Sequence, residues 1–302
     1  MSARQGGDPI LGHACSGGTA EGSSREQQMT GLRGMIRRRP GMFVGELGAT
    51  GATNLVLQQV VEPALGLGAG CAEVELGPGL AVTVRHDGPL PHPEQLYQLS
   101  FDGGWGCIGI LPALSHEARV RVVGDPAGPE VEAGLDQEIL VATTFDVARL
   151  TARMQELAWL HPRATIRLRT PSHEQLWHSP GGLLDCVEAL AEGMGPSLTD
   201  PLPLHHHDEA SGIVVEIALR RATQWPARVL SFVNRERTRG GGSHEQALRD
   251  ALADDRGCLP DGLAAVITVE VDEPSYAGAT KDRLDDAAVA RVVAEAARGL
   301  TS

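Results

Sequence analysis

The stretch from Ala227 to Val271 constrains the fold more than any other part of this chain. Ala227–Phe232 is a compact apolar run of strand character, and Leu263–Val271 is a second. Between them Ser243–Asp254 reads as a helix, with Ser243 as its N-cap and Gln246 as the capping-box partner. Gly240-Gly241-Gly242 lets the backbone swing into that helix. Strand, helix and strand in this order ask for a sheet with a helix covering one face.

The rest of the chain repeats the mixture. Thr53–Leu67 carries apolar residues at near-helical spacing, and Ala72–Leu76 and Leu80–Val84 alternate like a hairpin around Gly77-Pro78-Gly79. Leu114–Val123 reads as a strand closed by Gly124-Asp125-Pro126, and a helix follows Thr144 as far as Leu160. Strands are expected at Thr165–Arg169 and Gly212–Leu219, and an Ala-rich helix at Asp285–Arg298. The fold class is therefore α+β.

At 302 residues the chain can bury a sizeable core and suits two domains. The Gly/Ser-rich start, Met1–Gln28, lacks hydrophobic periodicity and reads as a flexible arm. Cys15, Cys71, Cys107, Cys186 and Cys258 are scattered without a CxxC pair, so reduced thiols are expected and no metal site. No apolar run is long enough to span a bilayer, so no membrane role is expected, and the composition suits a cytoplasmic location. The net charge of -13 argues against autonomous DNA binding, because affinity for DNA is largely phosphate neutralisation by cations.

Four segments carry a family likeness: Arg37-Arg38-Arg39-Pro40-Gly41-Met42-Phe43-Val44-Gly45, Phe145–Leu160, Gly181–Val187, and Leu230–Glu245 reading LSFVNRERTRGGGSHE. In this order, over about residues 31–286, they resemble the ATPase region of bacterial DNA gyrase B subunits and topoisomerase IV. That family reads RKRPGMYIG at the first segment and LSFVNNIxTxxGGTHExG at the last. The resemblance implies a GHKL domain, a Bergerat-type α/β sandwich, followed by a transducer domain of ribosomal-protein-like β-α-β fold. The expected division is an arm over residues 1–30, the ATPase-like domain over 31–140 and the transducer-like domain over 141–302.

The same resemblance marks where the chemistry is altered. The family has a catalytic Glu and, four residues on, a magnesium-holding Asn on one helix face. Counting from Pro40 puts Gln58 and Glu62 at these positions. An amide cannot take a proton from water at neutral pH, so Gln58 is expected to be inactive. Pro63 is expected to disturb the helix beside it. The adenine-reading DNGRGIP becomes Arg85-His86-Asp87-Gly88-Pro89-Leu90-Pro91, with His86 in place of the Asp and Asp87 as a substitute if the loop adjusts. In the shortened ATP lid Trp105 stands between Gly104 and Gly106, and the GTTxxFxPD strand is expected to be missing around Leu140–Thr144. Lys281, in Ala279-Thr280-Lys281, matches the lysine of the family's QTK loop that reaches the γ-phosphate. Without a phosphate it is expected to pair with Glu62 or Asp87. His205-His206-His207 is read as a loop that does not bind metal.

The expected function is a gyrase-B-like pseudo-ATPase serving as a binding or assembly module, with a homodimer or a gyrase B subunit as partner and any dimer weak. Ending after the transducer region, it is expected to lack the DNA-cleavage domain. No cofactor is expected, although ATP and magnesium serve the family. The alternative is a nucleotide pocket remodelled for a small-molecule ligand or a biosynthetic reaction, using Glu62, His86, Asp87, Trp105 and Lys281. A working topoisomerase-type ATPase is the third reading.

Overall fold

The computed structural model describes residues 31, 33–88, 109–123, 128–278 and 281–300. The expected arm, and the Gly104, Trp105 and Gly106 of the lid, lie outside these residues. The chain divides into two compact units, one reaching Ala158 and adding Arg163–His178, the other made of Trp159–Pro162 and Ser179 onward. The division falls beyond the expected 140/141 boundary because residues 165–178 extend the first sheet. Among the described residues no helix is long and apolar enough to cross a membrane.

After short helical segments at 33–38 and Gly41–Val44, unit one continues with helix α1 (Ala49–Val56), a π-type turn Leu57–Val61 and helix α2 (Glu62–Gly66). Strands β1 (Cys71–Leu76) and β2 (Ala81–His86) form the expected hairpin. They are followed by β3 (Ser115–Val123), β4 (Gly128–Leu135), helix α3 (Val147–Leu160), β5 (Thr165–Arg169) and β6 (Glu174–His178). The sheet order is β3-β4-β2-β1-β5-β6. β4 pairs directly with β2, Val131 opposite Val84, and residues 136–146 hold a helical turn capped by Asp136 where the family's extra strand was expected to be missing.

Period-two alternation explains the layering. Ala72, Val74, Val82, Val84, Val131, Ile166 and Leu168 are buried in one core with Leu55, Val56, Val60 and Val61 of the first helical segment and Leu150, Met154 and Leu157 of α3. The alternate positions carry charge. Arg85 reaches Glu130 at 2.6 Å, Glu73 at 3.1 Å and Glu75 at 3.0 Å, and Arg167 and Arg169 pair with Glu73 and Glu174. Cations and anions on this face are matched side by side.

In unit two the sheet order is β10-β9-β11-β8-β7, from β7 (Leu202–Asp208), β8 (Ile213–Arg221), β9 (Arg228–Val233), β10 (Glu236–Arg237) and β11 (Leu263–Glu270). β9 and β11 run parallel, Ser231 opposite Ile267, joined through helix α5 (Ser243–Leu252) as the sequence pattern required. One sheet face buries Val215, Ile217, Ile267 and Val269 against Leu248 of α5 and Val289, Val292 and Val293 of α6 (Ala287–Ala297). The other packs Ala218, Ala264, Val266 and Phe232 against Cys186 and Val187 of α4 (Leu183–Leu190). Each such buried branched side chain removes enough apolar surface to contribute about 1.5–3 kcal/mol.

Two local expectations are corrected. Ser243 is the first residue of α5, not its cap. Gly242 stands before it without a side-chain cap, and the Ser243 hydroxyl accepts the N–H of Asp286 at 3.0 Å. His205-His206-His207 lies in edge strand β7, where alternation points neighbours to opposite faces. Among the described residues no group of His, Cys, Asp and Glu could hold a metal ion.

Candidate functional site

The first site element is the helical segment that leads into β1. Pro63 has no N–H to donate and its ring crowds the carbonyl four residues back, so the preceding turn widens: the N–H of Glu62 bonds to Leu57 O, five residues away. This is the disturbance expected from Pro63. Gln58 on the widened turn is exposed. Its neighbour Gln59 is half-buried, and its Oε1 is shut from solvent without a partner among the described residues. The inward amide is thus Gln59, one residue after the count from Pro40, and the position four beyond it is Pro63.

Glu62 is already paired with a cation. Arg153 Nε donates to Glu62 Oε1 at 2.7 Å, and Arg153 Nη1 reaches Glu156 Oε2 at 3.2 Å. All three side chains are 17% exposed or less. The acid expected to answer Lys281 is held by Arg153 inside unit one.

The second element is the end of β2. His86 is 8% exposed and its Nδ1 has no partner among the described residues. Burial holds the imidazole below its ordinary pKa, against a smaller opposite effect from Asp87 and a hydrogen bond with the Gly88 backbone, so the ring is mostly neutral at pH 7. Asp87 is exposed, and its Oδ1 accepts the N–H of Cys71 at 2.9 Å, which closes the start of β1. It has not moved into the position of His86. Gly88 is buried against α2: a Cβ there would lie 3.3 Å from Ala64 O and 3.0 Å from Ala69 Cβ. The loop after His86 therefore begins on the helix that carries Pro63.

These residues do not fit ATP and magnesium as the family holds them. The inward helix face offers an amide and a proline where a carboxylate and an Asn would be needed. Where the resemblance places the adenine-reading acid, His86 offers a neutral ring in place of an acceptor carboxylate.

The third element lies in unit two. Lys281 is exposed, has φ 56 and forms no ion pair among the described residues. It is also the only lysine in the sequence, all the other cations among the 26 being arginine. Composition held this signal, and the motif comparison alone did not bring it out. On the same unit a groove of about 440 Å³ runs past Trp159, Leu184, His205, Glu216, Arg235 and Glu270. Arg235 pairs with Glu270 at 2.5 Å, and His205 Nδ1 lies 3.3 Å from Glu216 Oε1, so these groups answer one another.

Beside α5 lies a buried polar cluster that sequence reasoning missed. Ser231 Oγ donates to Glu245 Oε2 at 2.7 Å, Thr238 Oγ1 donates to Ser231 O at 3.0 Å, and Thr238 Oγ1 meets His244 Nε2 at 3.1 Å. Arg249 closes the cluster on Glu245 Oε1 at 2.8 Å. With the Thr238 proton assigned to Ser231 O, His244 Nε2 carries the hydrogen, and Nδ1 is the bare atom, without a partner among the described residues. Burial lowers the His244 pKa to about 4.

Known proteins resemble this chain across most of its length. The family model for DNA gyrase B matches residues 182–255. The gyrase B subunit of Streptococcus pneumoniae is 28% identical over 346 aligned positions, covering 89% of this chain and 53% of the relative. That of Staphylococcus epidermidis is 25% identical, covering 90% and 54%. The chain spans about half the length of the curated relatives it matches. Because the alignment of 346 positions exceeds the 302 residues of the chain, the relatives carry segments that it lacks. Among solved structures, the B-subunit of DNA gyrase from Myxococcus xanthus shares the fold with a TM-score of 0.75 at 26% identity, covering 89% of this chain and 95% of that one. The 43K ATPase domain of Thermus thermophilus gyrase B, in complex with an aminocoumarin, gives 0.73 at 24%, covering 91% and 90%, a likeness of fold. With its motifs in the same order and its fold shared, the chain resembles the ATPase region of DNA gyrase B subunits, most directly over residues 182–255.

Proposed function

We propose that this chain is a gyrase-B-type module that does not hydrolyse ATP and acts in binding or assembly, with a second copy or a gyrase B subunit as partner. The observation that carries the reading is the amide at the base position. Whether the position is counted as Gln58 or taken from the inward-facing Gln59, the residue is a glutamine. Losing a positioned general base typically costs about 10²- to 10⁴-fold in rate. Glu62, engaged by Arg153, does not replace it. The test is nucleotide turnover by the purified chain, with a binding titration alongside. No magnesium-dependent hydrolysis and weak or no binding are expected; turnover that disappears in Lys281→Ala overturns the proposal. Sedimentation over a concentration series, with and without a gyrase B subunit, tests the partner, and a strict monomer that ignores gyrase B rejects it.

One observation favours a second reading, a pocket remodelled for another small molecule. His86 Nδ1 and Gln59 Oε1 are both buried polar atoms without a partner among the described residues, and buried polar atoms are normally satisfied. A ligand with complementary hydrogen-bonding groups would satisfy them. A thermal-shift screen of non-nucleotide ligands tests this reading: stabilisation that survives in Lys281→Ala and is lost in His86→Phe supports it.

A further inference from the structure

The turn that carries Lys281 is stitched to the glycine segment before α5. Gly240 N–H donates to Asp282 O at 2.9 Å, Leu284 N–H to Gly241 O at 3.1 Å and Ser243 N–H to Leu284 O at 2.9 Å. From its other side Asp286 N–H reaches Ser243 Oγ at 3.0 Å. Within the turn, Ala277 N–H donates to Arg283 O at 3.0 Å and Asp285 N–H to Ser275 O at 2.8 Å. The close approach explains the glycines: a Cβ on Gly242 would fall on the backbone of Leu284, and one on Gly241 would lie 2.9 Å from Glu245 Oε2. Gly241 at φ 62 and Gly242 at φ 134 adopt backbone that other residues avoid.

The glycine segment is itself held by the buried cluster. Thr238 lies just before it and His244 just after it, and the two meet across its base at 3.1 Å. Ser231 ties Thr238 to Glu245, and Ser231 belongs to β9, between β10 and β11 in the sheet. One continuous set of hydrogen bonds thus runs from the sheet through Thr238 and His244 to the glycines, and from the glycines to residues 282–286. At its end Lys281 holds a left-handed conformation, which costs a non-glycine residue energy and persists only where the surroundings impose it. The chain's only lysine is presented there, although a guanidinium serves at every other basic position. An ammonium and a guanidinium are not interchangeable where a compact charge must fit.

We propose that His244 is a positioning residue for Lys281: by clamping Thr238 across the base of the Gly240–Gly242 segment it fixes the turn from which the lysine is presented to an anionic group. The inference rests on the reading of Lys281 as a presented cation, but its test reads the turn and not nucleotide turnover, so the two fail separately.

A protease that cuts only after lysine has one site in this chain, the bond between Lys281 and Asp282. Its cleavage rate under native conditions reports opening of the turn. The variants are His244→Ala, His244→Gln and, as a control, Val266→Ala on the opposite sheet face, with urea concentrations chosen so that all have equal global stability. His244→Ala is expected to be cut about tenfold faster than the control, as losing a buried hydrogen bond implies. His244→Gln, whose Nε2 can still donate to Thr238, is expected to return towards the wild-type rate. Equal rates for His244→Ala and the control, or His244→Gln cut as fast as His244→Ala, overturn the proposal. Should His244→Ala not fold, Ser243→Ala removes the acceptor for Asp286 N–H in the same stitch. It must also accelerate the cut, and an unchanged rate overturns the proposal equally.

Discussion

Acid should loosen unit two through His244 before its carboxylates are protonated. The ring is fully buried, donates through Nε2 to Thr238 and leaves Nδ1 without a partner. Around it stand Glu245, whose charge favours the imidazolium, and Arg249, which neutralises that charge from 2.7 Å. Burial dominates and lowers the pKa to about 4, whereas the unfolded chain takes up the same proton near 6.5. Between these values the unfolded state binds more protons, so the stabilisation is complete above 6.5 and is lost as pH falls towards 4. At about 1.4 kcal/mol per pH unit, this gap amounts to about 3 kcal/mol. His86 in unit one titrates in the same direction, so the effect must be isolated with His244→Gln. Urea unfolding of both proteins at pH 7, 6, 5 and 4 gives the assay. The wild type should lose about 3 kcal/mol more than the variant across this range. Two parallel profiles, agreeing within about 0.5 kcal/mol, would show that His244 is not held neutral by burial and would refute the reasoning.

Two further perturbations test the framework of the site. Arg153→Met leaves Glu62 and Glu156 as buried acids without this cation and should cost about 3–5 kcal/mol in urea unfolding, whereas Arg153→Lys should cost less. Gly242→Ala places a Cβ against the Leu284 backbone at φ 134; a loss of more than about 2 kcal/mol is expected, together with faster amide exchange in residues 281–286, and an unaltered exchange pattern would contradict the stitched turn.

Local chemistry explains which elements were legible. The hairpin β1/β2 could be read because Gly77-Pro78-Gly79 interrupts two period-two runs, and the crossover β9–α5–β11 because its periods change from strand to helix and back. β4 escaped notice because Gly128, Pro129 and Gly134 hide its alternation, and β7 because its polar edge residues look like a loop. Counting along the helix misplaced the inward glutamine by one residue, since a count assumes regular turns and the widened turn before Pro63 is not regular.

The sequence by itself determined the likeness to gyrase B subunits and the α+β class, because each is a matter of residue identity at a position in a pattern. Only the tertiary structure decided which partners individual residues take. Arg153 lies 91 residues from Glu62 and claims it, and Gly240 pairs with Asp282 across a gap filled by a helix and a strand. Such contacts follow from the packing of distant elements. Hydrophobic periodicity selects which face of a helix or strand is buried, but it does not specify which ions and hydrogen-bonding groups meet once those faces close.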